Sequence, residues 1–182
     1  MDDLVSLSGR GEAIVRNSGC QWTIVRASWF CQNLSEGHLL DSVLSGTVAL
    51  PAGYVAEPFI DANDIADVAV AALTDEQHAG QIYEVTGPRL LTFAEAVVTI
   101  AQAAGLSARY VAMSSDEYAA MIAPHMPEDF AAWLTTLFAD VLDGRNAHLA
   151  DGVQRALGRD PRDFAEYARE AAASGVWAAG AR

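Results

Sequence analysis

Two hydrophobic rhythms alternate along this chain. Short, nearly unbroken apolar runs are followed by longer stretches whose apolar residues recur three and four positions apart. The first rhythm predicts strands buried on both faces, the second amphipathic helices. Strands are predicted at Leu4-Val5-Ser6-Leu7, Trp22-Thr23-Ile24-Val25, Thr47-Val48-Ala49-Leu50, Glu57-Pro58-Phe59-Ile60, Gln81-Ile82-Tyr83-Glu84-Val85 and Arg109-Tyr110-Val111-Ala112-Met113. Trp22 to Val25 is the clearest, because aromatic and β-branched residues suit a pleated surface. Helices are predicted over residues 12–16, 33–44, 65–73, 116–122, 149–157 and 162–173, between Thr92 and Gly105, and between Pro127 and Gly144. Ile65, Val68, Ala69 and Ala72 share one helical face at i, i+3, i+4 and i+7.

Boundary residues agree with these elements. Asp61 and Asn63 stand where an N-cap belongs. Thr92 with Glu95 reads as a capping box, and Ser114 or Ser115 caps the next helix. Pro127 suits a first helical turn, and Pro161 separates the last two helices. Alternating strands and helices predict an α/β fold with a parallel sheet. No repeat, low-complexity linker or composition shift divides the chain, so one domain over residues 1–182 is expected. Residues 1–90 hold the sheet, and residues 91–182 are mainly helical.

Composition narrows the function. The chain has 182 residues, of which 52% are hydrophobic, enough for a sizeable core. Its 11 basic residues are all Arg, against 24 acidic ones, for a net charge of −13. The absence of Lys excludes a P-loop, a Schiff-base enzyme and a Tyr-x-x-x-Lys pair, since each needs an ammonium group. The acidic balance argues against direct contact with nucleic acid or anionic lipid. Cys20 and Cys31 are read as two small buried side chains in a reducing compartment. The acidic start and the absence of a long apolar run lead us to expect a cytoplasmic protein without a membrane segment.

Single motifs say little. Ser8-Gly9-Arg10-Gly11 follows the first predicted strand, where α/β folds often meet a ligand, but it lacks the third glycine of G-x-G-x-x-G. Arg26-Ala27-Ser28-Trp29-Phe30 leaves the end of the clearest strand, and Trp29 and Phe30 offer flat faces for a ring. Asp61, Asp64 and Asp67 are explained by helix-start chemistry, with Asp67 facing solvent, and no metal is expected. His38, His78, His125 and His148 are scattered and show no ligand spacing. Tyr54 and Tyr83 carry no signal of a catalytic acid, so catalytic residues stay unassigned. The stripe Phe130, Trp133, Leu134, Leu137, Phe138 fits a core face or a lid over an apolar pocket equally well.

Taken in order, several segments resemble one family. Trp22-Thr23-Ile24-Val25-Arg26-Ala27-Ser28-Trp29-Phe30-Cys31-Gln32-Asn33 is similar to the WTI-R-x-x-x-F-x-x-N segment of NmrA-like proteins, atypical short-chain dehydrogenases that bind NAD(P). Phe59-Ile60-Asp61-Ala62-Asn63-Asp64-Ile65-Ala66-Asp67-Val68-Ala69 resembles their F-I/V-D-x-x-D-I-A-D-V-A segment. Tyr83-Glu84-Val85-Thr86-Gly87-Pro88 with Leu91-Thr92-Phe93-Ala94-Glu95-Ala96 resembles Y-x-L-T-G-P and L-T-F-x-E-A. Ala156-Leu157-Gly158-Arg159-Asp160-Pro161-Arg162-Asp163-Phe164 resembles their LGR-x-PR-x-F ending.

The resemblance implies the late strands of a Rossmann-like parallel sheet followed by a helical, substrate-side C-terminal region. It implies NAD(P) as cofactor, with Ser8, Gly9, Ala27, Ser28, Trp29 and Phe30 on the nicotinamide side. The family's G-x-x-G-x-x-G turn has no counterpart here, so the chain looks like a truncated member with weakened dinucleotide binding. The implied activity is NAD(P)H-dependent oxidoreduction of a quinone or enone-like substrate. The alternatives are a non-catalytic protein that holds a small apolar molecule or a partner, and a truncated member without dinucleotide binding. An exposed sheet edge predicts a homo-oligomer or a protein partner.

Overall fold

The computed structural model describes residues 4–178, with side chains described from residue 9 onward. The chain runs α1 (Leu4–Arg16), β1 (Ile24–Ala27), α2 (Leu40–Leu44), β2 (Thr47–Leu50), β3 (Ala56–Glu57), α3 (Ala62–Thr74), β4 (Ile82–Val85), β5 (Leu91–Thr92), α4 (Phe93–Ala104), β6 (Arg109–Ala112), α5 (Ser115–Ile122), α6 (Glu128–Val141), α7 (Gly152–Leu157) and α8 (Phe164–Ser174). The strands form three pairs. β1–β4 and β2–β6 are parallel, and β3–β5 is antiparallel. A parallel bridge between Phe30 and Ile60 ties the segment after β1 to the segment after β3. The fold is α/β, as the alternation of rhythms predicts.

The capping chemistry sits where the residues place it. Asp61 accepts a hydrogen bond from the Asn63 backbone and opens α3. Thr92 with Glu95 and Ser114 with Glu117 each form a complete capping box. Gly105 closes α4 in the left-handed conformation that glycine adopts without strain.

Three of the expected elements need correction. Leu4 to Leu7 are not a strand but the first turns of α1, which continues through Ser8 and Gly9. Leu4, Leu7 and Ile14 recur at helical spacing, a period that a four-residue window hides, and an Arg16–Glu12 ion pair at 3.2 Å supports the helix. The helix expected over 33–44 is split into a 3-10 turn at Cys31–Leu34 and the short α2. Of the strand expected over 57–60 only Glu57 pairs as a strand, together with the preceding Ala56, because Pro58 has no N–H to donate.

One large core joins the α2–β2, α4, α6 and α8 regions, with Phe59 set edge-on against Phe93 (5.2 Å) and Phe164 (5.3 Å). The buried Trp177 donates its indole N–H to the Leu34 carbonyl at 2.9 Å. A smaller cluster of Ile60, Val68, Tyr83, Val85 and Val153 packs α3 and α7 on β4. Asp67 does not simply face solvent. Asp64, fully buried, and Asp67 share Arg159 and Arg162. Cys31 is buried, and burial pushes its thiol well above the usual range. Cys20 is exposed, contrary to expectation, because it lies in the loop between α1 and β1. Among the described residues no helix is long and apolar enough to cross a membrane.

Candidate functional site

β1 and β4 run side by side in register, Ala27 beside Val85, and both strands leave the pair at the same end. The Ser28 N–H donates to the Val85 carbonyl at 3.1 Å and prolongs the pairing by one residue. Beyond that point the segments diverge and border a cavity of about 620 Å³. Small-molecule sites typically span ~300–1,000 Å³ and favour the carboxyl ends of parallel strands.

The segment after β3 forms a second wall. The Pro58 carbonyl accepts from Ser28 Oγ at 2.6 Å and from the Gly87 N–H at 3.0 Å. Gly87 permits that approach, since a Cβ there would lie 2.0 Å from the Phe59 oxygen. The Ile60 N–H donates to the Trp29 carbonyl and the Cys31 N–H to the Ile60 carbonyl, both at 2.9 Å. These bonds fix the backbone of Trp29 and Phe30. The Trp29 ring packs edge-on against Phe93 at 5.2 Å and obliquely against Phe138 at 5.7 Å. Leu137, Phe138 and Val141 of α6 supply the apolar wall. The stripe therefore divides: its C-terminal part borders the cavity, while Phe130 (49%) and Trp133 (48%) stay exposed and pack on each other.

Polar groups enter at fixed places. His148 Nε2 lies 2.5 Å from Glu84 Oε1 across the mouth. Thr86, buried, accepts from the Ala150 N–H at 3.1 Å and anchors the segment that carries Asn146 and His148. Arg26 forks onto Glu12 of α1 at 2.7 and 2.6 Å, and that hydrogen bonding holds the Glu12 carboxyl below its usual range. His38 keeps an exposed edge but packs on Trp29 and Phe138, and the lost hydration lowers its pKa.

Glu57 is the outlier. It is 2% exposed, borders the cavity, and its Oε1 has no hydrogen-bond partner. Burial, reinforced by the Asp143 carboxylate and opposed by His148, pushes its pKa up to about 7. The Trp29 indole Nε1 is also buried without a partner. Two residues that border the cavity, Trp29 and Glu57, thus each hold a buried polar atom without a partner.

Of the residues expected on the nicotinamide side, Ala27, Ser28, Trp29 and Phe30 border this cavity. Gly9 lies in α1 outside its lining, and of Ser8 only its place in that helix is described. Tyr54 is almost wholly exposed, and the Tyr83 hydroxyl is buried against His78 Nδ1 at 2.7 Å, so neither enters the site. Sequence reasoning missed Glu57, Glu84, Thr86, His38 and His148. The available signal was Glu57 itself, a lone acid between Val55-Ala56 and Pro58-Phe59-Ile60. The histidines gave none, because the fold brings them in from separate segments.

The aromatic wall fits the reacting end of a nicotinamide cofactor. For the pyrophosphate end, five of the described helix starts offer no free anion site. α3, α4, α5 and α8 are capped by their own side chains, and α6 opens with Glu128 and Asp129.

No family model matches the chain. It is 38% identical over 167 residues to an NAD(P)H azoreductase of Xenophilus azovorans, covering 91% of this chain and 58% of that protein. Its fold matches the triphenylmethane reductase of Citrobacter sp. complexed with NADP(H), with a TM-score of 0.72, 22% identity and coverage of 88% and 56%. It also matches an NADPH-dependent quinone oxidoreductase of Escherichia coli, with a TM-score of 0.74, 20% identity and coverage of 88% and 58%. The fold is therefore Rossmann-like, as found in NAD(P)-binding reductases. The chain spans about half the length of the curated relatives it matches, 58% and 54% for two of them. These nicotinamide-dependent relatives and neighbours do not bear out the expectation of weakened cofactor binding.

Proposed function

We propose that this chain supplies the substrate-side part of an NAD(P)H-dependent reductase site, acting on flat conjugated acceptors of the quinone, azo or enone class. The observation that carries the reading is the aromatic-walled cavity at the shared carboxyl end of β1 and β4. The azoreductase and the quinone oxidoreductase point to the same chemistry. The reduced nicotinamide supplies a hydride when bound. Ala27, Ser28, Trp29 and Phe30 would hold its ring, and Leu137, Phe138 and Val141 would keep water from the cavity.

A second reading is a binding protein without turnover. It is favoured by one observation, that α3, α4, α5 and α8 each bond their first N–H groups to their own capping side chains. Thermal unfolding with NADPH and NADH separates the two. Ligand at a hundred times its dissociation constant adds about 2.7 kcal/mol, and a domain of this size then melts about 5–10 °C higher. A saturable rise of that order supports the reductase. A cooperative melt that neither nucleotide moves leaves the binding protein.

A further inference from the structure

The cavity has a ring-binding wall, but a hydride acceptor also needs a proton. A two-electron reduction adds hydride to one end of a C=O, N=N or enone system and leaves an electron pair on the other end. The chain has no Lys to partner a tyrosine, and neither Tyr54 nor Tyr83 enters the site. Trp29 donates a hydrogen bond but has no proton to give at neutral pH. The group must be an acid that borders the cavity and is not already engaged; His38 borders it, but burial lowers its pKa and disfavours its protonated form. Glu84 is held by His148. Glu57 alone among the described carboxyls bordering the cavity has no partner.

We propose that Glu57 is the catalytic acid of this cavity, donating a hydrogen bond to the acceptor oxygen or nitrogen of a flat substrate and then its proton. The Glu57 O–H bond breaks as the substrate O–H or N–H bond forms. Glu57 is left as a carboxylate, the hydride donor is left oxidised, and a proton from solvent restores the acid.

The backbone around Glu57 suits this task. Glu57 lies opposite Leu91 in the β3–β5 pair, and the next residue, Pro58, is clamped by Ser28 and Gly87. The carboxyl is thus fixed relative to the Trp29–Phe30 wall. The ionisable groups bearing on it are Asp143, after α6, and His148, before α7. Burial and Asp143 favour the neutral acid, and His148 opposes them. An acid poised near neutral pH both donates and recovers a proton readily.

The proton-transfer step rests on the reductase reading, whereas the hydrogen bond to an acceptor ligand does not. The test therefore starts with menadione alone, followed through tryptophan fluorescence or calorimetry on the full chain. Only the neutral carboxyl donates to the quinone oxygen, so affinity is full below about pH 7 and falls above it. Between about pH 6 and about pH 8 the dissociation constant should rise about tenfold. Glu57→Gln, which keeps a donor but cannot ionise, should bind with no such slope. Glu57→Asp should keep the slope at weaker affinity, and it guards against a misfolded glutamine variant. The same slope in Glu57→Gln would assign it to His148 or His38 and overturn the proposal, as would a flat wild-type profile or no binding at all. Where NADPH is also oxidised, Glu57→Gln should lower kcat about 100-fold or more. A menadione slope without any NADPH shift would retire the reductase reading and leave the Glu57 hydrogen bond standing.

Discussion

A methyl group at Gly87 would sit 2.0 Å from the Phe59 carbonyl oxygen, and one at Gly152 would sit 2.1 Å from that of Glu84. Neither neighbour is a side chain that can swing away; both are backbone. Gly87 donates its N–H to the Pro58 carbonyl, and Gly152 opens α7 where that helix packs on β4. We expect Gly87→Ala and Gly152→Ala to destabilise by about 3 kcal/mol or more, seen as a melting temperature lowered by about 6–12 °C. Gly11 is the contrast. It lies within α1 with open space around it, so Gly11→Ala should stabilise that helix by about 0.5–1 kcal/mol. Equal losses at Gly87 and Gly11 in thermal melts would contradict this assignment of steric roles.

At the scale of elements, the acidic start of α3 and the basic segment between α7 and α8 form one unit. Asp64 accepts from the Arg162 backbone N–H at 2.7 Å and pairs with the guanidinium groups of Arg159 and Arg162. Asp67 pairs with the same two arginines, at 2.6 Å and 3.2 Å. Asp64 is fully buried, so losing a partner exposes the cost of burying its charge. A double-mutant cycle on Asp64→Ala and Arg162→Ala should give a coupling of about 1–3 kcal/mol in urea unfolding. The Arg89–Asp163 pair, with both side chains more than a third exposed, should give less than about 1 kcal/mol. Equal couplings would mean that burial does not set the strength of these pairs. This unit also shows what the sequence made legible. Thr92, Ser114, Asp61 and Gly105 act through neighbours within a few residues, so their roles could be read locally. Asp67 reads locally as a solvent-facing residue because its partners lie 92 and 95 positions away. Glu57 and His148 escaped for the same reason. Ala27 to Phe30 did not, since a strand end carrying two aromatics is a local signal.

At the scale of the whole molecule, strand pairing is incomplete. Among the described residues β1 pairs only with β4, and β2 only with β6. Two-stranded ladders are marginal alone, and parallel strands are normally covered on both sides. We propose that the outer edge of β1 is closed by a second protein strand, most simply from another copy of the chain. The net charge of −13 opposes that closure, because like charges repel across the new contact. The two effects differ in salt dependence. Backbone pairing is insensitive to salt, whereas repulsion between surface charges is screened within about 10 Å at ~0.1 M salt. Self-association should therefore strengthen as salt is raised from about 20 to about 300 mM, which sedimentation velocity would follow directly. A chain that stays monomeric throughout, or dissociates as salt rises, would rule out edge closure between copies. The edge would then be left to a partner of different sequence, or to the protection that Arg26 gains from its fork onto Glu12.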